Sequence, residues 1–196
     1  MPLQNRVHPD GTVMAVPQRG GLMGNRGGRI HDDAQQLGRA RWRSRQWISC
    51  VLSFKDRQRR VMGRSYTELF FLDEVTALAA GHRPCFECRR ADALRFACCF
   101  PGTGRATAKD MDRILHQARL GPKDHGRLTD QPVGTVARAG TAVLALHSCG
   151  VLRWSFEGYA RANAPDGPIE LLTPAPMRAT LSAGYVPAWH PSAAVF

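Results

Sequence analysis

The sequence has few acidic residues. It contains 16 Asp and Glu against 27 Lys and Arg, which gives a formal net charge of +11. This excess excludes a charge-balanced surface and favours polyanionic partners, because opposite charges attract over a long range and a polyanion releases counterions on binding. Nucleic acid is the first expectation among such partners, ahead of an anionic membrane surface.

Long apolar runs are also missing. The uncharged stretch around residues 142 to 152 is too short to span a bilayer, and the beginning "MPLQNRVHPDG" lacks the apolar core of a signal peptide. We therefore expect a cytoplasmic protein that does not enter the membrane. The six cysteines should then be mostly reduced, so a paired spacing predicts metal binding or redox chemistry before disulfides.

Sequence signatures of the common catalytic classes are lacking. The chain has no HExxH motif and no Ser-His-Asp arrangement, and "MGNRGGR" matches neither the P-loop nor the dinucleotide-binding fingerprint. A zinc deaminase requires H-x-E before P-C-x-x-C, and only the second half is present, in "PCFEC". The sequence assigns no catalytic residue and favours a binding protein over an enzyme, without deciding between them.

Three regions follow from the distribution of residue types, and together they predict an α+β protein. Residues 1–46 are rich in Gly and Arg and have little hydrophobic periodicity, which predicts a basic N-terminal arm. For residues 47–120 the sequence predicts a small α/β core that contains a zinc knuckle. Residues 121–196 predict a small β-rich subdomain with a terminal helix, which follows the Gly- and Pro-rich link "GPKDHGRLTDQPVG".

Within the central region, "QWISCVLSF" alternates polar and apolar residues and predicts a strand, followed by a hairpin to a strand in "RVMGRSYTELFFL". Asp73 can cap a helix that begins at Glu74, and Gly81 and Pro84 can end it. Two more helices are expected, one from about Ala91 and one over residues 107–120. In the last region, Thr173 and Pro174 mark the start of a helix and Gly184 marks its end.

The cysteine pair in "AGHRPCFECRR", residues 80–90, is the strongest chemical signal. Two thiolates separated by two residues can bind one Zn²⁺ at about 2.3 Å, and Arg83, Arg89 and Arg90 would stabilise negative sulfur. A redox site and an inert turn are the alternatives to a zinc site. The redox site is less favoured, because a thioredoxin-like pair follows a strand and begins a helix, whereas here a helix comes first.

The segment "YTELFFLDEVTALAAGHRPCFECRR", residues 66–90, resembles the second half of the Ada-type metal-binding domain of bacterial methylphosphotriester DNA repair proteins. Both have a strand, a helix that ends in Ala-Gly, and an aromatic-Arg-Pro-Cys-x-x-Cys-Arg motif. In that family four cysteines hold zinc, and one cysteine of an upstream C-x-x-x-C pair accepts a methyl group from the DNA backbone. The resemblance implies that Cys85 and Cys88 are zinc ligands; without an upstream C-x-x-x-C pair, it does not transfer the methyl-acceptor role.

Two upstream residues are candidates for the remaining ligands, Cys50 and His31. Cys50 can instead be a small hydrophobic residue on the apolar face of its strand, and His31 can be a surface loop residue. A further pair, His147 and Cys149 in "LALHSCGV", belongs to the C-terminal half of the chain. The sequence leaves these alternatives open.

The preferred function is therefore a protein that binds one structural Zn²⁺ and nucleic acid, DNA before RNA. The expected contacts to nucleic acid come from arginines in the arm and beside the cysteine pair, and Trp42 and Trp47 are expected to be exposed for stacking on bases. The arginines are Arg41, Arg43, Arg45, Arg83, Arg89 and Arg90. An alkyl-transfer enzyme with a zinc-bound thiolate and a protein-interaction domain are the alternatives.

Overall fold

The computed structural model describes residues 1–58, 60–102 and 106–195. Within these residues the chain forms an α+β fold with two six-stranded sheets and four α-helices, which confirms the predicted class. The first sheet contains β1 to β6, which are Arg6–Val7, Val13–Met14, Leu22–Asn25, Ile48–Cys50, Leu69–Phe71 and Arg83–Pro84. The second contains β7 to β12, which are His125–Gly126, Val136–Ala139, Ala142–His147, Gly150–Ser155, Gly158–Arg161 and Ile169–Leu171. The helices α1 to α4 are Glu74–Ala79, Arg90–Cys99, Ala108–Leu120 and Ala175–Ser182.

The segment expected to be an arm, residues 1–46, supplies three of the six strands of the first sheet. The strand order is β2-β1-β5-β3-β4-β6. Each of these three strands has only two to four residues, so no alternation of apolar residues marks them in the sequence. The N-terminal region is therefore integrated into the fold by backbone pairing.

The predicted hairpin between the strands at Cys50 and Phe71 does not form. Strand β3 lies between β4 and β5 and pairs antiparallel with both, with Met23 opposite Cys50 on one side and opposite Phe70 on the other. Gly24 permits this close approach, because a Cβ at that position would lie 2.1 Å from the Ile48 carbonyl oxygen. The hairpin is replaced by a three-stranded arrangement that requires the N-terminal segment.

Helix α1 begins and ends where the sequence predicts. The Asp73 side chain accepts hydrogen bonds from the Thr76 amide at 2.8 Å and the Thr76 hydroxyl at 2.7 Å. Gly81, with φ of +80°, follows the helix in the left-handed region that favours glycine. Helices α2, α3 and α4 also match the predicted segments, and Thr107 caps α3 through the Asp110 amide.

The second sheet is antiparallel throughout, in the order β11-β10-β9-β8-β12-β7. Helix α1 joins it to the first sheet: its residues Val75 and Ala79 share a hydrophobic core with residues of β8 to β11. The Trp154 indole donates a hydrogen bond to the Thr76 hydroxyl at 3.0 Å, across this junction. The regions 47–120 and 121–196 thus pack on a common core.

Among the described residues, no helix is long and apolar enough to cross a membrane.

Candidate metal centre

Parallel pairing of β4 and β6 brings two cysteines together. Ser49 lies opposite Pro84 in this register, and the next residue along each segment is a cysteine: Cys50 is the last residue of β4, and Cys85 directly follows β6. The Cys85 amide donates a hydrogen bond to the Ser49 carbonyl at 2.9 Å. Because parallel strands end at the same edge of a sheet, both thiols lie at that edge.

Cys88 joins them through the turn that leads from β6 into α2. The Arg89 amide donates a hydrogen bond to the Cys85 carbonyl at 3.0 Å, which closes the turn. The Glu87 amide donates to the Cys85 sulfur at 3.4 Å. A backbone donor aimed at sulfur stabilises the thiolate, the form of cysteine that binds metal.

The sulfur atoms of Cys50, Cys85 and Cys88 all lie within 4.8 Å of one another. A tetrahedral zinc ion with Zn–S bonds of about 2.3 Å places its sulfur ligands about 3.8 Å apart, which is compatible with this spacing. In the described part of the chain, no other group of three or more His, Cys, Asp or Glu side chains comes this close together. The structure therefore supports Cys50 as the third member of the site.

The three thiols change one another's pKa values. Hydrogen bonds from Cys50 and then from Cys88 lower the pKa of Cys85 far below its usual value. The pKa of Cys50 is raised, first by its hydrogen bonds with Cys85 and Cys88 and then by burial. The thiolate is the form of cysteine that binds metal, so a divalent cation that binds the cluster would displace its remaining protons.

All three cysteines line one pocket of about 650 Å³. Its other walls include apolar and aromatic side chains from the same face of the first sheet, among them Met23, Ile48 and Phe70. Zinc held by three protein ligands has a fourth coordination position, and catalytic zinc sites keep that position for water or substrate. A small molecule in this pocket would have direct access to the sulfur atoms.

Glu68 is a buried carboxylate in the wall of the same pocket. Its Oε2 accepts a hydrogen bond from the Met62 amide at 2.6 Å, while its Oε1 is buried without a hydrogen-bond partner among the described residues. A buried carboxylate oxygen without a partner is costly unless something in the pocket binds it. In the sequence Glu68 is one of several acidic residues around the cysteine pair, with Asp73, Glu74 and Glu87, and no motif distinguishes it as a site residue.

Arg83 and Arg89, which the sequence assigned to nucleic-acid contacts, lie in the interior. The Arg83 guanidinium binds both carboxylate oxygens of Asp112 at 2.8 Å. Arg89 pairs with the buried Glu74 at 2.8 Å. Both arginines flank the cysteine turn and hold it in place through their partners, which leaves Arg90 as the exposed arginine of this group.

His31 lies apart from the three sulfurs. Its Nδ1 is 2.6 Å from the Thr67 hydroxyl and its Nε2 is 2.8 Å from the Gly63 carbonyl oxygen, so both ring nitrogens have partners. The imidazole is buried and ties the loop before β5 to the N-terminal segment. The structure therefore supports a structural position for His31 and does not bring it into the metal cluster.

The other candidate pair, His147 and Cys149, lies at the turn between β9 and β10. The His147 Nδ1 and the Cys149 sulfur are 2.8 Å apart, and the cysteine is exposed. This pair belongs to the second sheet and is separate from the three-cysteine cluster.

The arginines of residues 41–45 are exposed, as the sequence predicts. Arg41, Arg43 and Arg45 flank Trp42, which is 37% exposed. The expectation of an exposed Trp47 is wrong, since its side chain is buried and the Arg26 guanidinium lies 4.0 Å from its ring centre. Trp47 directly precedes β4 and does not line the cysteine pocket, which Ile48 and Cys50 do.

No protein-family model, curated protein or solved structure matches this chain.

Proposed function

We propose that the protein binds one zinc ion through Cys50, Cys85 and Cys88 and binds nucleic acid through its exposed arginines. The single observation on which the proposal rests is the convergence of three cysteine sulfurs within 4.8 Å. The similarity of residues 66–90 to the Ada-type domain adds support for zinc as the ion.

The donor set favours zinc over the hard cations. Thiolates are soft ligands that select zinc and related metals, whereas Mg²⁺ and Ca²⁺ require oxygen donors. The ligands also come from two different elements, Cys50 from β4 and the other two from the turn before α2. A bound ion would therefore tie the edge of the first sheet to this helix, which is the behaviour of a structural metal.

Metal analysis of the purified protein tests this part of the proposal. We expect about one zinc per chain, and substitution with Co²⁺ should give the visible absorption bands of tetrahedral thiolate coordination. Cys50→Ser and Cys85→Ser should each lose most of the bound metal, while the exposed Cys149→Ser is the matched control and should retain it. Full zinc retention in Cys50→Ser, or equal loss in the control, would overturn the assignment of the site.

Nucleic-acid binding is supported by the charge and by the placement of the exposed arginines. The chain has a formal charge of +11. The positive charge at residues 41–45 is not neutralised locally, because none of the three arginines there lies within 4 Å of a carboxylate among the described residues. Such guanidinium groups can bind phosphates, and the exposed ring of Trp42 can stack on a base.

A salt series tests nucleic-acid binding. The triple variant Arg43→Ala/Arg45→Ala/Arg90→Ala is compared with a control that loses the same charge from exposed positions elsewhere, Arg95→Ala/Arg113→Ala/Arg153→Ala. The logarithm of affinity for duplex DNA should fall with the logarithm of salt, with a slope of about −0.9 for each phosphate contacted. The first variant should reduce the magnitude of that slope by the equivalent of up to about three phosphate contacts, and the control should reduce it by less. Equal slopes in both variants, or no binding at low salt, would contradict the proposal.

A second candidate function, alkyl transfer to a cysteine, is favoured by the pocket that reaches all three sulfurs. In this reaction Cys50 would first lose its proton to solvent, and the resulting thiolate would attack the methyl carbon of a methylphosphotriester. A sulfur–carbon bond forms, the carbon–oxygen bond breaks, and the phosphate oxygen leaves with the electron pair as a phosphodiester anion. The cysteine becomes a thioether and the reaction takes place once per chain.

Mass spectrometry after incubation with methylphosphotriester DNA separates the two candidates. Alkyl transfer predicts a peptide containing Cys50 that is heavier by one CH₂ group, formed in one turnover. If the Cys50 peptide is unmodified in protein that is loaded with zinc and binds DNA, alkyl transfer is excluded and the binding function is retained.

A further inference from the structure

A second pocket, of about 450 Å³, lies around Trp42 and Trp47, away from the cysteines. The turn between β1 and β2 contributes Asp10 and the residues that follow it, and the end of α3 contributes Arg119 and Leu120. Ile48 and Cys50 of β4 line the cysteine pocket, while Trp47, the residue directly before β4, lines this one. Because neighbouring strand residues point to opposite faces, the two pockets open on different sides of β4.

Positive charge is concentrated in this pocket. Four cationic side chains line it, Arg26, Arg41, Arg119 and Lys123. None of the four lies within 4 Å of a carboxylate among the described residues. The lining contains one acidic residue, Asp10, whose carboxylate is already bound by Arg138 and by His8.

Two of these cations are held in place by the fold. The Arg26 guanidinium lies 4.0 Å from the centre of the Trp47 ring and the Arg119 guanidinium lies 4.5 Å from it. Arg26 donates to the Gly11 carbonyl at 2.8 Å, and Arg119 donates to the Gly81 carbonyl at 2.9 Å. These neutral partners fix the position of both guanidinium groups but do not neutralise them.

Burial of two guanidinium groups without a carboxylate disfavours their charge. Burial, followed by repulsion from Arg41, lowers the pKa of Arg26 to about 9. Burial is also the main cause that lowers the pKa of Arg119 to about 9; the charge of Asp112 opposes this shift, and repulsion from Arg26 adds to it. An anion in the pocket would relieve both effects, because it supplies the missing opposite charge at short range.

The exposed ring of Trp42 adds a second element of recognition. It lines the pocket, and its ring centre is 6.1 Å from that of Trp47 and 5.5 Å from that of His116. A planar ligand can stack on this tryptophan while a group attached to it reaches the cations.

From this arrangement we propose that the pocket binds a nucleotide, with its phosphate among Arg26, Arg41, Arg119 and Lys123 and its base against Trp42. Two sources supply this chemistry, a free nucleoside monophosphate and a nucleotide unit of a single strand. In the second case the inference extends the proposed nucleic-acid function to a site for one unstacked nucleotide. In the first case it is independent of that function and of the zinc centre.

Titration of the zinc-loaded full chain, followed by calorimetry and tryptophan fluorescence, tests the proposal. The probes are inorganic phosphate, adenosine, adenosine monophosphate, and a short single strand with and without a 5′-phosphate. Adenosine monophosphate should bind about tenfold or more tightly than either phosphate or adenosine, since it combines the ionic and stacking contacts. Equal affinity for adenosine and its monophosphate would overturn the proposal.

Two variants locate the binding. Lys123→Ala and Trp42→Ala should each weaken monophosphate binding by about tenfold, and the exposed Arg113→Ala on the same helix as Arg119 should leave it unchanged. Melting curves confirm that each variant is folded, and Lys123→Arg, which restores the charge, should restore most of the affinity. Loss of affinity in Arg113→Ala equal to that in Lys123→Ala, or no loss in either pocket variant, would contradict this site.

The variant Arg43→Ala/Arg45→Ala/Arg90→Ala separates the two proposals, because none of its positions lines the pocket. If this variant still binds the monophosphate but binds duplex DNA more weakly, the result supports both proposals. Monophosphate binding in a protein that binds neither duplex nor single strand would identify the free nucleotide as the ligand and remove the nucleic-acid function. Tighter binding of the 5′-phosphorylated strand than of the monophosphate would identify the strand as the source.

Discussion

The guanidinium of Arg83 is bound by both carboxylate oxygens of Asp112, with Nε–Oδ1 and Nη2–Oδ2 distances of 2.8 Å. The pair joins β6 to α3, and Arg83 is nearly inaccessible to solvent. Because Cys85 follows β6 closely, this pair also fixes the strand that delivers a metal ligand. Two segments that are distant in the sequence thus position the candidate metal centre.

Asp112→Ala should lower the free energy of unfolding by about 3–5 kcal/mol, since it leaves the charge of Arg83 buried without a partner. Denaturant unfolding measures the change. The matched control is Glu87→Ala, which breaks the exposed pair with Arg57 and should change stability little. Similar losses in the two variants would show that the buried pair has no special role.

Removal of the metal should lower the melting temperature, because a bound ion that holds β4 to the turn before α2 binds the folded state only. Scanning calorimetry with and without a chelator measures this effect. The metal-free wild type and Cys50→Ser should melt at similar temperatures, and Cys149→Ser should respond to the chelator as the wild type does. An unchanged melting curve in protein shown to be free of metal would exclude a structural role for zinc.

Asp73 should contribute more to stability than an ordinary helix cap. One of its oxygens accepts from Thr76, and the other accepts from the Tyr159 hydroxyl at 2.9 Å and the His190 amide at 3.0 Å. Asp73→Ala therefore removes a cap and also leaves buried donors without partners, and we expect a loss of about 3 kcal/mol or more.

The comparison variant is Thr107→Ala, which removes the cap of α3 at a site close to the surface. Its expected cost is about 1 kcal/mol. Urea unfolding of both variants gives the two values, and equal costs would show that the contacts of Asp73 with the second sheet add nothing.

Stability should fall as the pH drops below about 6.5, partly because of His82. The side chain is completely buried, and burial, followed by the charges of Arg26 and Arg119, lowers its pKa well below the usual value. Below the unfolded-state pKa of about 6.5 the unfolded chain binds a proton that the folded chain does not. This difference destabilises the fold by up to about 1.4 kcal/mol for each pH unit.

Unfolding free energies measured between pH 7 and about pH 5 test this linkage. His82→Gln should reduce the slope of stability against pH, even though it also lowers stability overall. The control is His125→Gln at an exposed position, which should keep the wild-type slope. An identical slope in wild type and His82→Gln would show that His82 is not responsible.

Helix boundaries could be predicted from the sequence because they depend on neighbouring residues. Asp73 and Thr107 form their capping hydrogen bonds within three residues, and Gly81 and Gly184 adopt positive φ immediately after their helices. These interactions are local, so the residue types alone indicate them. The proximity of Cys85 and Cys88 is predictable for the same reason.

The third cysteine required the tertiary structure. In the sequence, Cys50 fits an apolar strand face as well as a metal site. Parallel pairing of β4 with β6 decides between these alternatives, and this pairing depends on the crossover connection through β5 and α1. The same is true of residues 1–46, whose strands are too short to show a period. Strands β1 and β3 pair with β5, far along the chain, and β2 pairs with β1.

The sequence by itself determined that the protein carries a large positive charge, since charge is a sum over residue types. Only the tertiary structure decided where that charge lies. Arg83 and Arg89 are buried beside Asp112 and Glu74, Arg26 and Arg119 lie against Trp47, and the arginines of residues 41–45 stay in solvent. The physical reason is that a buried guanidinium needs carboxylates, carbonyls or aromatic rings around it, and here distant segments supply them.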